Sequence, residues 1–504
     1  MADRHNPVLV GAAQLVQRDA EPAAALEPLV MLERVAREAA ADAEVGERAL
    51  REIDTLGIVD VIGWRPQNAP RLLAERLGAR PAREYLTGVG GEMPLTLVNR
   101  VAQQIAAGEA RVALVAGCNN VRTLRRARRD GVELNWTQGG AGEPIPVGES
   151  KAGSSEREMA YGLKRPTDVY PVLENALRVR RGLDLETHRE RMGALFSRFS
   201  QTAASNPYAW FPRARSAEEI TTPTARNRMI AFPYTKYLNA VMETDQAAAV
   251  LLVSTEAARA LGIPEAKWIH WWGGASSEEA AWFTSERPEL AASPALRRAA
   301  EGAFAQAGVS AGDLDRIDFY SCFPVAVEMA CEMLEIDEAD PRGLTVTGGL
   351  PYAGGPGNNY TLHSLAAMME KLRAAPGAKG LVTGNGWYLT KHAATVLASA
   401  PQEPAPASRS AAHERPASGS PQAEAVAIVD EANGRGRVET YTVVFDREGA
   451  PARGIVLGRL EDGGRFLANT PDDRALLEAL VAKEAVGRVG AVTHRDGANL
   501  FDPS

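Results

Sequence analysis

The stretch Gly90-Gly91-Glu92-Met93-Pro94-Leu95 runs into an apolar-periodic segment through Val101 and Ile105 to Gly108. The apolar run Val112-Ala113-Leu114-Val115-Ala116-Gly117 follows. Two glycines make a turn, Pro94 sits where the first turn of a helix accepts proline, and the spacing behind it predicts a helix over 94–107. The next apolar run, too short for a helix, predicts a buried strand over 112–116.

Working outward, the same alternation repeats. Strands are expected over 8–13, 55–62 and 247–254, and a helix over 31–41, which together define a layered α/β unit. A long irregular insertion at about 119–240, rich in Arg, Pro and aromatic residues, needs helices and a surface of its own. From 269 a second α/β series begins, with helices over 295–307, 325–334 and 360–373, strands at 317–320 and 380–383, and a glycine-rich loop at 348–357. Two similar units in tandem imply a duplicated core. The expected divisions are 1–262, 263–400, a flexible Pro/Ala/Ser/Glu linker at 401–423, and a small β-rich domain over 424–504.

Composition narrows the function. A net charge of -8 disfavours a nucleic-acid binder. No window approaches the roughly 18 apolar residues of a membrane helix, so no membrane insertion is expected. Cys118, Cys322 and Cys331 have no disulfide or metal-ligand spacing, which fits a cytoplasmic protein with no metal. Gly354 to Asn359 lacks the Lys-Ser/Thr of a phosphate loop and does not follow the first strand of a dinucleotide-binding unit.

Taken together, these segments resemble the thiolase superfamily: its sterol-carrier-protein thiolase branch and, within it, the thiolase-like protein type 1 group with an additional C-terminal domain. The resemblance covers essentially the whole chain and implies a five-layered αβαβα fold of two related halves. It also implies a loop domain inserted in the first half and an OB-like tail. Four active-site loops can be checked against it. The nucleophile loop maps to Gly90–Pro94, with Gly91 in the cysteine position. The loop Asn-Glu-Ala-Phe, or His-Asp-Cys-Phe in the sterol-carrier branch, is Tyr320-Ser321-Cys322-Phe323 here. Gly-His-Pro becomes Gly354-Gly355-Pro356, and Cys-x-Gly becomes Val382-Thr383-Gly384.

These departures remove the usual chemistry. Claisen turnover needs a thiolate to attack the thioester, a histidine to take its proton and a second cysteine to move a proton at the α-carbon. The resemblance still implies an acyl-CoA-handling protein, acetyl-CoA acetyltransferase-like, performing acyl transfer or C–C bond cleavage from a non-cysteine site. The alternative is a non-catalytic acyl-CoA binding or adaptor protein. CoA or acyl-CoA is the expected ligand, with no covalently bound cofactor, and a monomer or homodimer is expected.

Tyr320 and His392 are the catalytic candidates. Tyr320 stands where relatives build an oxyanion hole, and a phenol can donate a hydrogen bond. Lys391 and His392 are bases just beyond the fourth loop, and Glu92 adjoins the missing nucleophile. Gly90, Gly91, Gly354, Gly355 and Gly384 are expected to bring backbone groups to the thioester. Arg125, Arg126 and Arg129 would suit the phosphates of CoA. For each there is a plainer reading: a packed aromatic, a core histidine, tight turns and a solvated helix face.

Overall fold

The structure, a computed structural model, describes residues 4–402 and 425–503. The expected linker at 401–423 therefore lies, apart from 401 and 402, outside the described residues.

In the first half, strands Thr55–Ile58, Arg83–Thr87 and Val112–Asn120 run parallel. Val112–Asn120 then pairs antiparallel with Asp245–Ser254, which pairs antiparallel with Pro7–Val16. Both Val112–Asn120 and Asp245–Ser254 are buried at every position, because helices cover both faces; this is why they read as unbroken apolar runs. The second half contributes Arg316–Asp318, Lys379–Gly386, Lys391–Ala398 and Ile269–Glu278. The two halves join edge to edge through Val8 opposite His270 and Leu9 opposite Ile269.

Two helices, Met93–Ala106 and Tyr360–Arg373, touch strands of both halves and form the middle layer. A helix covered on all sides can be apolar all round, and Tyr360–Met369 is ten consecutive buried residues. Pro28–Asp42 covers the outer face of the first half, and Pro294–Ala307 that of the second. The result is the five-layered αβαβα arrangement. The first strand of the parallel set stops at Ile58, short of the expected 62. Beyond it the chain turns inward, so that Asn358 Nδ2 donates to the Asp60 carbonyl at 2.9 Å.

The insertion carries the long helices Pro166–Arg180 and Leu185–Ser205 and two short strands, Met229–Ala231 and Tyr234–Thr235. The tail is a closed five-stranded barrel of the OB-like kind. Gly434–Phe445 pairs with both Pro451–Leu460 and Val489–Arg495, and Arg465–Asn469 pairs in parallel with Ala498–Asp502. The barrel sits on the inserted domain. Ala231 pairs with Val444, Thr440 Oγ1 donates to the Val172 carbonyl at 2.6 Å, and buried Arg178 meets Glu484 at 2.6 Å. Arg465, fully buried, reaches past the insertion to the Ser285 carbonyl at 3.0 Å. Among the described residues, no helix is long and apolar enough to cross a membrane.

Candidate active site

Both middle-layer helices begin at the same place. The glycine turn before Met93 and the loop before Tyr360 are laced together: Asn358 Oδ1 accepts from Gly90 N at 3.0 Å, and Thr361 Oγ1 donates to the Gly91 carbonyl at 3.2 Å. The loop after Asp318 is fixed from the neighbouring strand, where Thr383 Oγ1 accepts from Tyr320 N at 3.0 Å. Gly90, Gly91, Tyr320 and Gly384 therefore come together.

At the centre is a contact between a glycine and a phenol. A β-carbon on Gly91 would lie 2.1 Å from the Tyr320 hydroxyl and 2.7 Å from the Asn385 carbonyl oxygen. Real β-carbons do not approach other atoms so closely, so the Tyr320 hydroxyl occupies the volume that a side chain at 91 would need. The phenol stands edge-on to Tyr360, with ring centroids 5.4 Å apart. Burial, with the neighbouring Cys322 and Glu92, holds the Tyr320 hydroxyl well above the usual phenol range, so at neutral pH it keeps its proton.

Under the glycine turn lies a buried ion pair. Lys391 Nζ meets Glu92 Oε1 at 2.7 Å, each side chain only 2% exposed, and donates to the Val89 carbonyl at 2.8 Å. Glu92 fills the space beside three glycines, two of them with its carboxylate: a β-carbon on Gly90 or Gly386 would fall 2.1 or 1.8 Å from Oε2, and one on Gly384 would fall 2.8 Å from the Glu92 Cα. Burial pushes the Glu92 carboxyl up, opposed by the Lys391 charge.

Cys322, 6% exposed, accepts from Asn385 Nδ2 at 3.8 Å, and the same amide donates to the Tyr170 hydroxyl at 2.8 Å. Burial pushes its thiol up to about 12, so it is no thiolate at neutral pH. Tyr170 comes from the inserted domain, 215 residues away from Asn385 in sequence, so no local pattern announces it. The Glu92–Lys391 pairing is equally non-local, although the residue types themselves draw notice beside the loops.

The remaining candidates lie elsewhere. His392 is adjacent to Lys391 on a strand, so its side chain faces the opposite way, towards Ser293 Oγ at 3.0 Å; burial lowers it to about 3. Gly354 has φ +106 and abuts the Gln246 side chain, beside a small cavity that Tyr360 and His363 also line. At Gly355, in the place of the histidine, a β-carbon would meet nothing nearer than 3.3 Å, so sterics do not demand glycine there as they do at 91. Arg125, Arg126 and Arg129 lie on the helix Val121–Asp130, and each is paired with a carboxylate: Glu243, Glu21 and Asp130 respectively.

This layered core, with its inserted domain and its loops converging on the two central helix starts, defines a thiolase-fold protein. The crystal structure of a monomeric SCP2-thiolase-like protein type 1 from Mycobacterium smegmatis is 34% identical, matches over 100% of both chains and superposes with TM-score 0.83. The present chain belongs to that SCP2-thiolase-like protein type 1 family. Residues 420–498 match the thiolase-like protein type 1 additional C-terminal domain. The Ltp2-ChsH2(DUF35) aldolase shares the fold at 18% identity, over 79% of this chain and 98% of its own, with TM-score 0.58. So does an acetyl-CoA acetyltransferase from Syntrophomonas wolfei, at 16% identity, over 78% and 99%, with TM-score 0.55. None of the curated proteins matches the sequence.

Proposed function

We propose that this protein binds an acyl-CoA thioester and cleaves or forms a C–C bond next to it without passing through an acyl-cysteine. The observation that carries this reading is the Tyr320 hydroxyl lodged in the space of the missing nucleophile. A phenol that keeps its proton is a poor nucleophile but a good hydrogen-bond donor. It suits a thioester oxygen that becomes negative as the α-carbon takes up electrons. Acyl transfer through the enzyme requires a group to carry the acyl chain, and Gly91 and the protonated Cys322 are unsuited to that. C–C bond cleavage needs no such carrier, and a fold relative described as an aldolase supports the choice.

The same observation favours a second reading, an acyl-CoA binder without turnover, because the departures from thiolase chemistry are coordinated around one closed site. Incubation with a panel of CoA thioesters, including 3-hydroxyacyl-CoAs, read by mass spectrometry, separates the two. Cleavage products that vanish in Tyr320→Phe support the enzyme. Calorimetric binding of CoA thioesters with no product from any of them supports the binder, and absence of both activities removes both readings. The described relative is monomeric, which supports the same state for this protein. Three free, buried cysteines suit a cytoplasmic location.

A further inference from the structure

Away from this site, three helices bring a carboxylate, an imidazole and a second carboxylate to one buried point. Glu174 lies on Pro166–Arg180, His188 on Leu185–Ser205, and Glu328 on Pro324–Leu334. One ligand-capable atom from each lies within 4.8 Å of the others, and the residues are 0%, 1% and 0% exposed. We propose that Glu174, His188 and Glu328 bind one divalent transition cation of the zinc class as a closed, structural site.

The surrounding donors are arranged as outer-shell partners of such a site. Tyr234 donates to Glu174 Oε2, leaving Oε1 facing His188 Nε2 at 2.6 Å. Arg181 Nη1 holds Glu328 Oε2 at 3.1 Å, while Glu328 Oε1 is buried with no hydrogen-bond partner. His188 Nδ1 is likewise buried and unpartnered. Glu328 is thus held from outside through one oxygen with the other left unpartnered, and Glu174 is held from outside by Tyr234 with its second oxygen against His188, which is how outer-shell groups orient ligating carboxylates. An orphaned buried carboxylate oxygen is costly, and a cation beside Glu328 Oε1 offsets that cost. One imidazole with two carboxylates matches zinc better than magnesium or calcium, which favour all-oxygen sets. Arg181 is neutralised by Glu332 at 2.5 Å and Glu338 at 2.9 Å as well as by Glu328, so its charge does not stand alone against the cation. Binding exchanges the cation for whatever protons the three groups hold, and these leave to solvent.

The site would tie the inserted domain to the helix that begins directly after Tyr320–Phe323. Full-length protein, stripped with chelator, reloaded with zinc and dialysed, is to be measured by elemental mass spectrometry and by thermal unfolding. The expected result is one zinc per chain and a raised Tm. Glu328→Gln and Glu174→Gln keep the shape of a protonated carboxyl and so preserve the fold; each should weaken zinc binding by about 10-fold or more. Wild-type protein that holds no stoichiometric zinc, or folded Gln variants that hold as much as wild type, would overturn the proposal. The latter result would mean that the metal sits elsewhere.

Discussion

The Tyr320 hydroxyl lies 2.1 Å from where a β-carbon on Gly91 would stand, so the two positions are sterically exclusive. Restoring a side chain at 91 therefore does not restore a nucleophile. Gly91→Ala should destabilise by about 1–3 kcal/mol, the usual cost of overpacking a closed core. In a Tyr320→Ala background, where the ring is gone, the same change should cost less, with only the Asn385 carbonyl, 2.7 Å from that β-carbon, still to give way. Denaturant titration of the four proteins measures the coupling, and equal costs in both backgrounds would mean that the two residues do not compete for space.

The Glu92–Lys391 pair makes a second prediction. Lys391→Met strands the buried Glu92 carboxyl without its cation, and removing one partner of a buried pair typically costs about 3–5 kcal/mol. Glu92→Leu combined with Lys391→Met removes both charges and should cost less than the sum of the single changes. A strictly additive pair of losses in denaturant unfolding would show that the two charges are not coupled.

How much of this was legible beforehand follows from the range of each interaction. The turn–helix–strand unit at 90–117 is local, and its apolar spacing reads directly onto the structure. The duplicated core follows because each half repeats that pattern. The barrel strand Gly434–Phe445 opens on Gly434-Arg435-Gly436-Arg437, which carries no strand pattern and is extended because it pairs with Val489–Arg495, a partner no local pattern predicts. The Gly91–Tyr320 exclusion joins positions more than two hundred residues apart, so each departure reads alone as a lost function; only the contact shows them to be one change. His392 and Lys391 illustrate the same limit at short range. Neighbours on a strand face opposite ways, and sequence does not say which of two adjacent bases looks into the site.

Thiol chemistry is the third test. Burial pushes Cys322 up to about 12 and raises Cys118 and Cys331 as well. Native protein at about pH 8 should therefore resist alkylation at all three positions, because the thiolate is the reactive form. Unfolded protein should be labelled three times. Rapid single labelling of the native protein at Cys322 would revive it as a nucleophile.

The last prediction concerns acid. His363 and His392 are both lowered from 6.5 to about 3 by burial. Above about pH 6.5 both are neutral whether the chain is folded or unfolded, so they leave stability unchanged with pH. Between about 6.5 and 3 the unfolded chain takes up protons that the folded one refuses, so stability falls as pH falls, with each histidine adding up to one proton to the slope. His392→Asn leaves Ser293 a polar partner and removes one of these protons. Its stability should therefore decline less steeply than that of wild type between about pH 6 and pH 4, and His363→Asn, beside Gln14 Oε1 at 2.9 Å, should behave alike. Denaturant midpoints across that range give the slopes. An unchanged slope in either variant would show that the corresponding imidazole titrates normally in the folded protein and is not held neutral by its burial.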